Sequence, residues 1–359
     1  MSKFLKILFS PLLVINLLVA ACLIFCAYIP TLSPEHIPLL SLGGLAFPFV
    51  LVVNVLFFAL WLLIYPRYVV VPLIASILCF AQIRTLIPIN FNRQSLPKNN
   101  IKVLSYNILS SNINASNVNK KNSVISYLDE ANADIVCLQE FSFSTVKKHQ
   151  KLLDRYPYKS YLVSKDSESA SCYLGCLSKY PILSVEMLKF NSTSNGCSKY
   201  RILHENDTII VYNCHLQSNG LNSTHKSTYE QILSNPKENI RSEGTKDIIK
   251  KLRDSASKRA NQADIIVADL EKETSPYIIV CGDFNDSPIS YTCNRLKEHL
   301  DDAYINSGNG PGISYNQNKL YYRIDHILHS SSFKSYKCTV DRSITVSDHY
   351  PIYCFLEKK

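Results

Sequence analysis

Residues 277–288 read YIIVCGDFNDSP. An apolar, β-branched run stops at Gly282 and gives way to a turn carrying Asp283, Asn285 and Asp286, the pattern of a buried strand that ends on polar side chains. A strand end is where a rigid scaffold presents a side chain with little positional freedom. The same pattern recurs along the chain. IKVLSYN ends on Asn107, DIVCLQE on Glu140 and TIIVYNCH on His215, while RIDHIL opens on Asp325 and SDHYPI sets Asp348 and His349 before a last apolar run.

Between these strands lie helical stretches. NSVISYLDEAN (122–132) and Thr245 to Leu270 carry helical periodicity, and further strands are expected around Cys176–Ile182, Lys199–Leu203 and Thr208–His215. Residues 217–243 read as polar and irregular. Strands mixed with helices, many without βαβ spacing, point to stacked sheets with helices outside, not to a doubly wound parallel sheet.

The first hundred residues differ sharply. They hold six Lys/Arg and a single acid, Glu35, among long apolar runs, whereas residues 101–359 hold 32 basic and 28 acidic residues. Of the total charge of +9, the second part therefore carries +4, too dilute for a dedicated nucleic-acid-binding patch.

Residues 7–29 and 39–65 are uncharged and long enough to cross a hydrocarbon core of ~30 Å as helices. A third run, about Tyr68 to Ile89, meets Arg84 late, whose stem can lie in lipid with its head at the interface; an interfacial segment is the competing reading. A cleaved signal peptide is disfavoured, because more apolar runs follow the first. The expected organisation is a membrane segment with about three transmembrane helices (1–90), a linker (91–100) and a catalytic domain (101–359). Lys3 and Lys6 precede the first run and the loop TLSPEHIP lacks Lys and Arg, which predicts a cytoplasmic N-terminus. Three spans then place the domain outside; two would leave it in the cytoplasm. Arg93 and Lys98 work against the outward placement.

The cysteines suggest buried apolar packing for Cys137, Cys281 and Cys354. Cys172, Cys176 and Cys197 sit in more polar surroundings, where one disulfide could form outside the cytosol.

Several carboxylates meeting at one rim repel each other unless a cation lies among them. An oxygen-rich site selects a hard ion, so Mg²⁺ is expected, with Mn²⁺ or Ca²⁺ as substitutes. Two histidines beside it suit phosphate oxygens or a leaving group. Each motif alone has a plainer reading: a solvated Glu140, an Asx turn in GDFND, a satisfied core His215. Their common position at strand ends is what points to metal-assisted attack of water on phosphorus.

The ordered run SYNIL, DIVCLQE, GCLSKYPI, NCHLQS, GDFNDSP, RIDHIL, SDHYPI resembles the endonuclease/exonuclease/phosphatase superfamily, in the manner of a membrane-anchored bacterial member. The resemblance spans essentially all of 101–359 and implies a four-layer α/β sandwich, two β-sheets packed face to face with helices outside. It further implies Glu140 as main metal ligand, with Asn107, Asp325 and Asp348 at metal or supporting positions. Asp283 would orient or deprotonate water, Asn285 would hold a phosphate oxygen, and His349 and His215 would act on the phosphate. Abasic-site endonucleases carry Tyr where this chain has His215, and inositol-phosphate 5-phosphatases carry a Trp motif absent from LYYRIDHIL. HLQS leans towards DNase-like and sphingomyelinase-like branches. The resemblance thus implies a phosphodiesterase or nuclease, with a lipid or sugar phosphatase, or a non-catalytic binding protein on the same fold, as alternatives. Arg259 and Gln262 read first as helix packing and second as substrate contacts.

Overall fold

Two parallel strand pairs organise the C-terminal domain. β1 (Ile101–Asn107) lies beside β2 (Ile135–Gln139), and β7 (Asp207–His215) lies beside β8 (Ile278–Asp283). Around them the remaining strands are β3 (Tyr158–Ser167), β4 (Ala170–Ser178), β5 (Ile182–Leu188), β6 (Gly196–His204), β9 (Asp301–Asp302), β10 (Asp325–His329), β11 (Phe333–Val340) and β12 (Ile352–Lys358). They form two six-stranded sheets, ordered β11-β12-β1-β2-β4-β3 and β5-β6-β7-β8-β10-β9. The computed structural model describes residues 3–39, 42–91, 95–109, 123–141, 154–167, 170–190, 195–235, 239, 241–315, 317 and 321–359. Arg93, in the expected linker, lies outside them.

The sheets face each other across a core that includes Val103, Cys137, Val211, Cys281, Ile327 and Cys354. α5 (Val124–Ala131) covers the first sheet. The Ser123 side chain caps it by accepting from Ser126 N, and Val124 and Leu128 pack on Leu104 and Tyr106. α7 (Glu243–Leu270) and α8 (Tyr291–Lys297) cover the second sheet, with Ile266, Val267, Leu270, Cys293 and Leu296 on Ile210 and Val280. Helix, sheet, sheet, helix is the four-layer sandwich expected from the sequence. Buried amides tie the sheets together: Gln139 Nε2 donates to Asn213 Oδ1 at 2.6 Å, and Asn213 Nδ2 donates to Leu138 O at 3.1 Å.

Three sequence expectations are corrected locally. Residues 217–243 are not irregular throughout: α6 (Ser223–Ser234) opens on a capping box in which Asn222 and His225 satisfy each other's backbone amides. The stretch Cys176–Ile182 is not one strand: it holds the end of β4, a turn over 179–181 and the first residue of β5. Cys176 and Cys197 are buried strand residues with free thiols, Cys197 Sγ lying 3.2 Å from Cys214 Sγ without a bond; the Cys172 side chain is outside the described set.

The N-terminal segment folds into α1 (Lys3–Tyr28), α2 (Gly43–Ile64), α3 (Val70–Leu78) and α4 (Phe80–Leu86). α1, continued to Thr31, and α2 could each cross a membrane, and α3 with α4 would add a third span bent by 66°. Outward leucines such as Leu18, Leu56 and Leu63 leave an apolar exterior, while Trp61 Nε1 donates to Asn16 Oδ1 and Asn54 Nδ2 to Pro72 O inside the bundle. Small-to-backbone packing joins this bundle to the domain. A Cβ on Gly44 would come within 2.6 Å of Ile289 O, so only glycine permits that approach. Arg323 Nη2 donates to Thr85 O, and Asn90 Nδ2 to Gly308 O at 2.6 Å.

Candidate active site

Strand register brings the expected residues to one rim. His215 at the end of β7 pairs in register with Asp283 at the end of β8, which pairs with Asp325 at the start of antiparallel β10. Opposite them, Asn107 ends β1 beside Gln139 of β2, and Glu140 follows directly. The backbone at Gly282, φ +139°, would put a Cβ 1.9 Å from Cys214 O. Glycine there is what lets β7 and β8 run close enough to set His215 beside Asp283. Glu140 and Asn285 hold left-handed backbone, φ 53° and 52°. For a non-glycine residue this costs on the order of 1–3 kcal/mol and persists where the surroundings over-determine it.

Asp283 Oδ2 is the centre of the arrangement. Asn107 Nδ2 donates to it at 3.1 Å and to Glu140 Oε1 at 3.2 Å. His215 Nε2 lies 3.7 Å and His349 Nε2 3.6 Å from the same carboxylate oxygen. The other oxygen accepts from Asn285 N at 2.8 Å. His349 Nδ1 lies 2.8 Å from Asp325 Oδ2. Burial opposes a charged imidazole at His349, but the carboxylates of Asp325 and Asp283 outweigh it and push its pKa up to about 10. The two carboxylates between which His349 is fixed thus favour its imidazolium form.

The loop that carries His349 is itself tied down. Ser347 Oγ donates to Asn107 O at 2.8 Å and accepts from His349 N at 3.2 Å. Asp348 lines the cavity with Oδ1 3.4 Å from Ser347 Oγ, while Asp325, not Asp348, pairs with the histidine. Asn285 also lines the cavity, but its Nδ2 is turned onto Leu216 O at 3.0 Å. Arg259 and Gln262 pack as the sequence suggests. They pack α7 against the site loops, Arg259 bonding Asp286, Gln217 O and Asn219, and Gln262 Oε1 accepting from Gln217 N, while Arg259 also lines the cavity.

The sequence reading missed Tyr315 and Lys226. Tyr315 sets its ring edge-on to His349 at 5.2 Å, and Lys226 Nζ donates to its hydroxyl at 3.1 Å. The capping pattern Asn222–His225 was the one available signal that Lys226 lies on a helix facing the site.

The donor set suits a cation. Asp283, Asp325 and His349 offer atoms within 4.8 Å of one another; within the trio His349 Nδ1 is bonded to Asp325 Oδ2, while its Nε2 stands 3.6 Å from Asp283 Oδ2 and stays open to the cavity. Asp325 Oδ1 is buried with no partner among the described residues, and Glu140 and Asp348 add two more carboxylates to the same space. That surplus of negative charge would repel a phosphate unless a divalent ion offset it.

The sequence profile of the Endonuclease/Exonuclease/phosphatase family matches residues 104–349, a range that contains every residue of this rim. The chain belongs to the endonuclease/exonuclease/phosphatase family. A second profile, described as a domain of unknown function, matches residues 5–86. Among curated proteins the comparison finds no match. Solved structures show the shared DNase I-like fold of this family. TDP2 of Caenorhabditis elegans superimposes at a TM-score of 0.51 with 17% identity, covering 73% of this chain and 76% of that one. A family protein from Bacteroides vulgatus gives 0.51 with 14% identity over 73% and 100%. TDP2 of D. rerio, complexed with a single-strand DNA product, gives 0.50 with 16% identity over the same shares. Family members hydrolyse phosphoesters and usually use a divalent metal.

Proposed function

We propose that this protein is a membrane-tethered, metal-dependent phosphodiesterase whose catalytic domain faces outward from the cytoplasm. The observation that carries the reading is the convergence of Asn107, His215 and His349 on the single oxygen Asp283 Oδ2. A phosphate placed over that oxygen would meet a water-orienting carboxylate and two imidazoles at once.

In this reading Asp283 orders the attacking water and accepts its proton, while Asn285 N and Asn107 Nδ2 fix the carboxylate's rotation. The His349 cation, braced by Asp325, donates to a non-bridging phosphate oxygen. His215 donates to the oxygen that leaves. Glu140, Asn107, Asp325 and Asp348 would hold a divalent ion, Mg²⁺ by ligand type, which when bound supplies charge neutralisation and polarises the phosphoryl oxygen. Lys226 and Tyr315 would add donors at the cavity wall. Lys3, Lys6 and Arg67 lie at one end of the helical bundle, the ends of α1, α2 and α4 that touch the domain at the other, which supports the outward orientation.

The test is hydrolysis of bis-p-nitrophenyl phosphate by the full chain in detergent, with Mg²⁺, with EDTA, and with Mg²⁺ restored. Loss with EDTA, return with Mg²⁺ and loss in Asp283→Asn and His349→Ala are expected. Unimpaired turnover in both variants would remove the assignment. A reporter fused after Leu96 and read only in the cytoplasm would refute the orientation.

A further inference from the structure

The catalytic cavity, about 840 Å³, is not walled by the catalytic domain alone. One side is membrane helix: Leu45, Ala46 and Phe49 of α2, with Leu42 just before it, line the same space as Asp283 and His349. Their spacing is i, i+3, i+4, i+7, so one continuous apolar stripe of the helix is turned towards the phosphate-binding rim. Ala46 and Phe49 are exposed there rather than packed. α7 adds apolar surface to the same cavity through Ile248 and Leu252.

The stripe does not stop at the cavity. A second groove, about 400 Å³, runs between α1 and α2, lined by Ile15, Leu18, Val19, Phe49, Val50 and Val53. Phe49 belongs to both. An apolar track therefore leads from between two helices able to cross a membrane into a site whose far end is polar and charged. The Gly44–Ile289 contact fixes this geometry, because it presses α2 against the loop that follows Asp283 and Asn285.

Resting on the phosphodiesterase reading, we infer that the substrate is a phosphoester bearing a long hydrocarbon chain, drawn from the bilayer, with its phosphate at Asp283 and His349 and its chain along α2 in the α1–α2 groove. Both halves of such an amphiphile meet matching surface: apolar chain on Ala46, Phe49 and Val53, anionic head at the rim. A soluble diester would leave this wall uncovered. In the reaction, water adds its oxygen to phosphorus and the bond to the leaving oxygen breaks. One of water's protons goes to Asp283 and the other is released from the new phosphate; the leaving oxygen takes its proton from His215, which the proton held on Asp283 then restores.

The experiment uses the full-length protein in mixed micelles with Mg²⁺ and two probes with one reacting group: methyl p-nitrophenyl phosphate and hexadecyl p-nitrophenyl phosphate. The readout is the ratio of long-chain to short-chain kcat/KM within one preparation, so a reduced folded fraction cancels. The wild-type ratio is expected to be at least about tenfold, given what even one methylene contributes in a fitted apolar pocket. Ala46→Trp, which fills the junction, and Phe49→Ala, which removes its wall, are each expected to lower that ratio by about tenfold or more. A ratio unchanged in both variants means that micelle partitioning alone concentrates the long probe, and overturns the inference while leaving the hydrolase reading intact. Turnover of the short probe with no long-chain preference does the same. No turnover of either probe overturns both.

Discussion

His349 Nδ1 and Asp325 Oδ2 stand 2.8 Å apart, with the two side chains 6% and 1% exposed. The pair joins a loop preceding β12 to the first residue of β10, so it fixes the imidazole's orientation as well as its charge. Asp325→Asn keeps the shape and removes the charge that favours the imidazolium. Hydrolysis of bis-p-nitrophenyl phosphate is expected to fall about 10²–10⁴-fold, the usual worth of a positioned acid or base. A loss under threefold would assign the pair a purely structural part.

Gly282→Ala combines a φ of +139° with a Cβ placed 1.9 Å from Cys214 O. Backbone strain alone amounts to about 1–3 kcal/mol, and the collision must also part β7 from β8. Thermal unfolding is expected to drop by several degrees, and activity to fall further than the folded fraction does, since His215 and Asp283 straddle the parted strands. Retention of full specific activity in the folded fraction would show that the strand spacing does not set the site.

Arg259 is 3% exposed and clamps Asp286, Gln217 O and Asn219. Breaking such a buried pair costs about 3–5 kcal/mol, because the partner charge stays buried. A lysine cannot reproduce the forked contacts. Arg259→Lys should therefore lower the unfolding midpoint nearly as much as Arg259→Met, and differential scanning fluorimetry can compare the two. Full rescue by lysine would argue that charge alone matters here.

Acid should destabilise the domain through His204 and His329. Burial holds both below the usual imidazole pKa of 6.5, helped at His204 by Lys358. Each is neutral when folded and takes up a proton when unfolded, so stability rises with pH. Their contribution is complete above pH 6.5 and shrinks as pH falls below it towards the folded values. Unfolding midpoints measured from pH 8 to 5 should decline over that window, and His329→Asn, which keeps a donor for Ser330 O, should flatten the slope. A slope identical in the variant would assign the acid sensitivity to other groups.

Much of the rim was legible because local grammar and global position coincide there. A polar residue that borders an apolar strand run must sit at a strand end: Asn107, Glu140, His215 and Asp283 close such runs and Asp325 opens one. The partner of His349 was not legible: Asp348 is its neighbour in sequence, but Asp325 meets it only because the two sheets are packed with the end of β10 facing the loop before β12. α6 was missed because its sequence, STHKSTYEQILS, lacks a clear apolar stripe, and a cap rather than burial starts it. The apolar wall of the cavity was invisible for another reason. Leu42 and Phe49 look like any lipid-facing residues until the loop at Ile289 is seen lying against their helix.

The site is divided between the two sheets. Asn107 and Glu140 leave one of them, His215, Asp283 and Asp325 belong to the other, and the bonds Asn107–Asp283 and His349–Asp325 stitch the seam. Neither sheet owns a working set, so competence is a property of their alignment. Sliding one sheet past the other by a single residue, about 3.3 Å, would pull Asn107 off Asp283 while every ladder bond within each sheet stayed intact. The side chains at the seam's interior, Cys137 against Cys281 among them, therefore act as the register pins of the catalyst, although none of them touches the cavity.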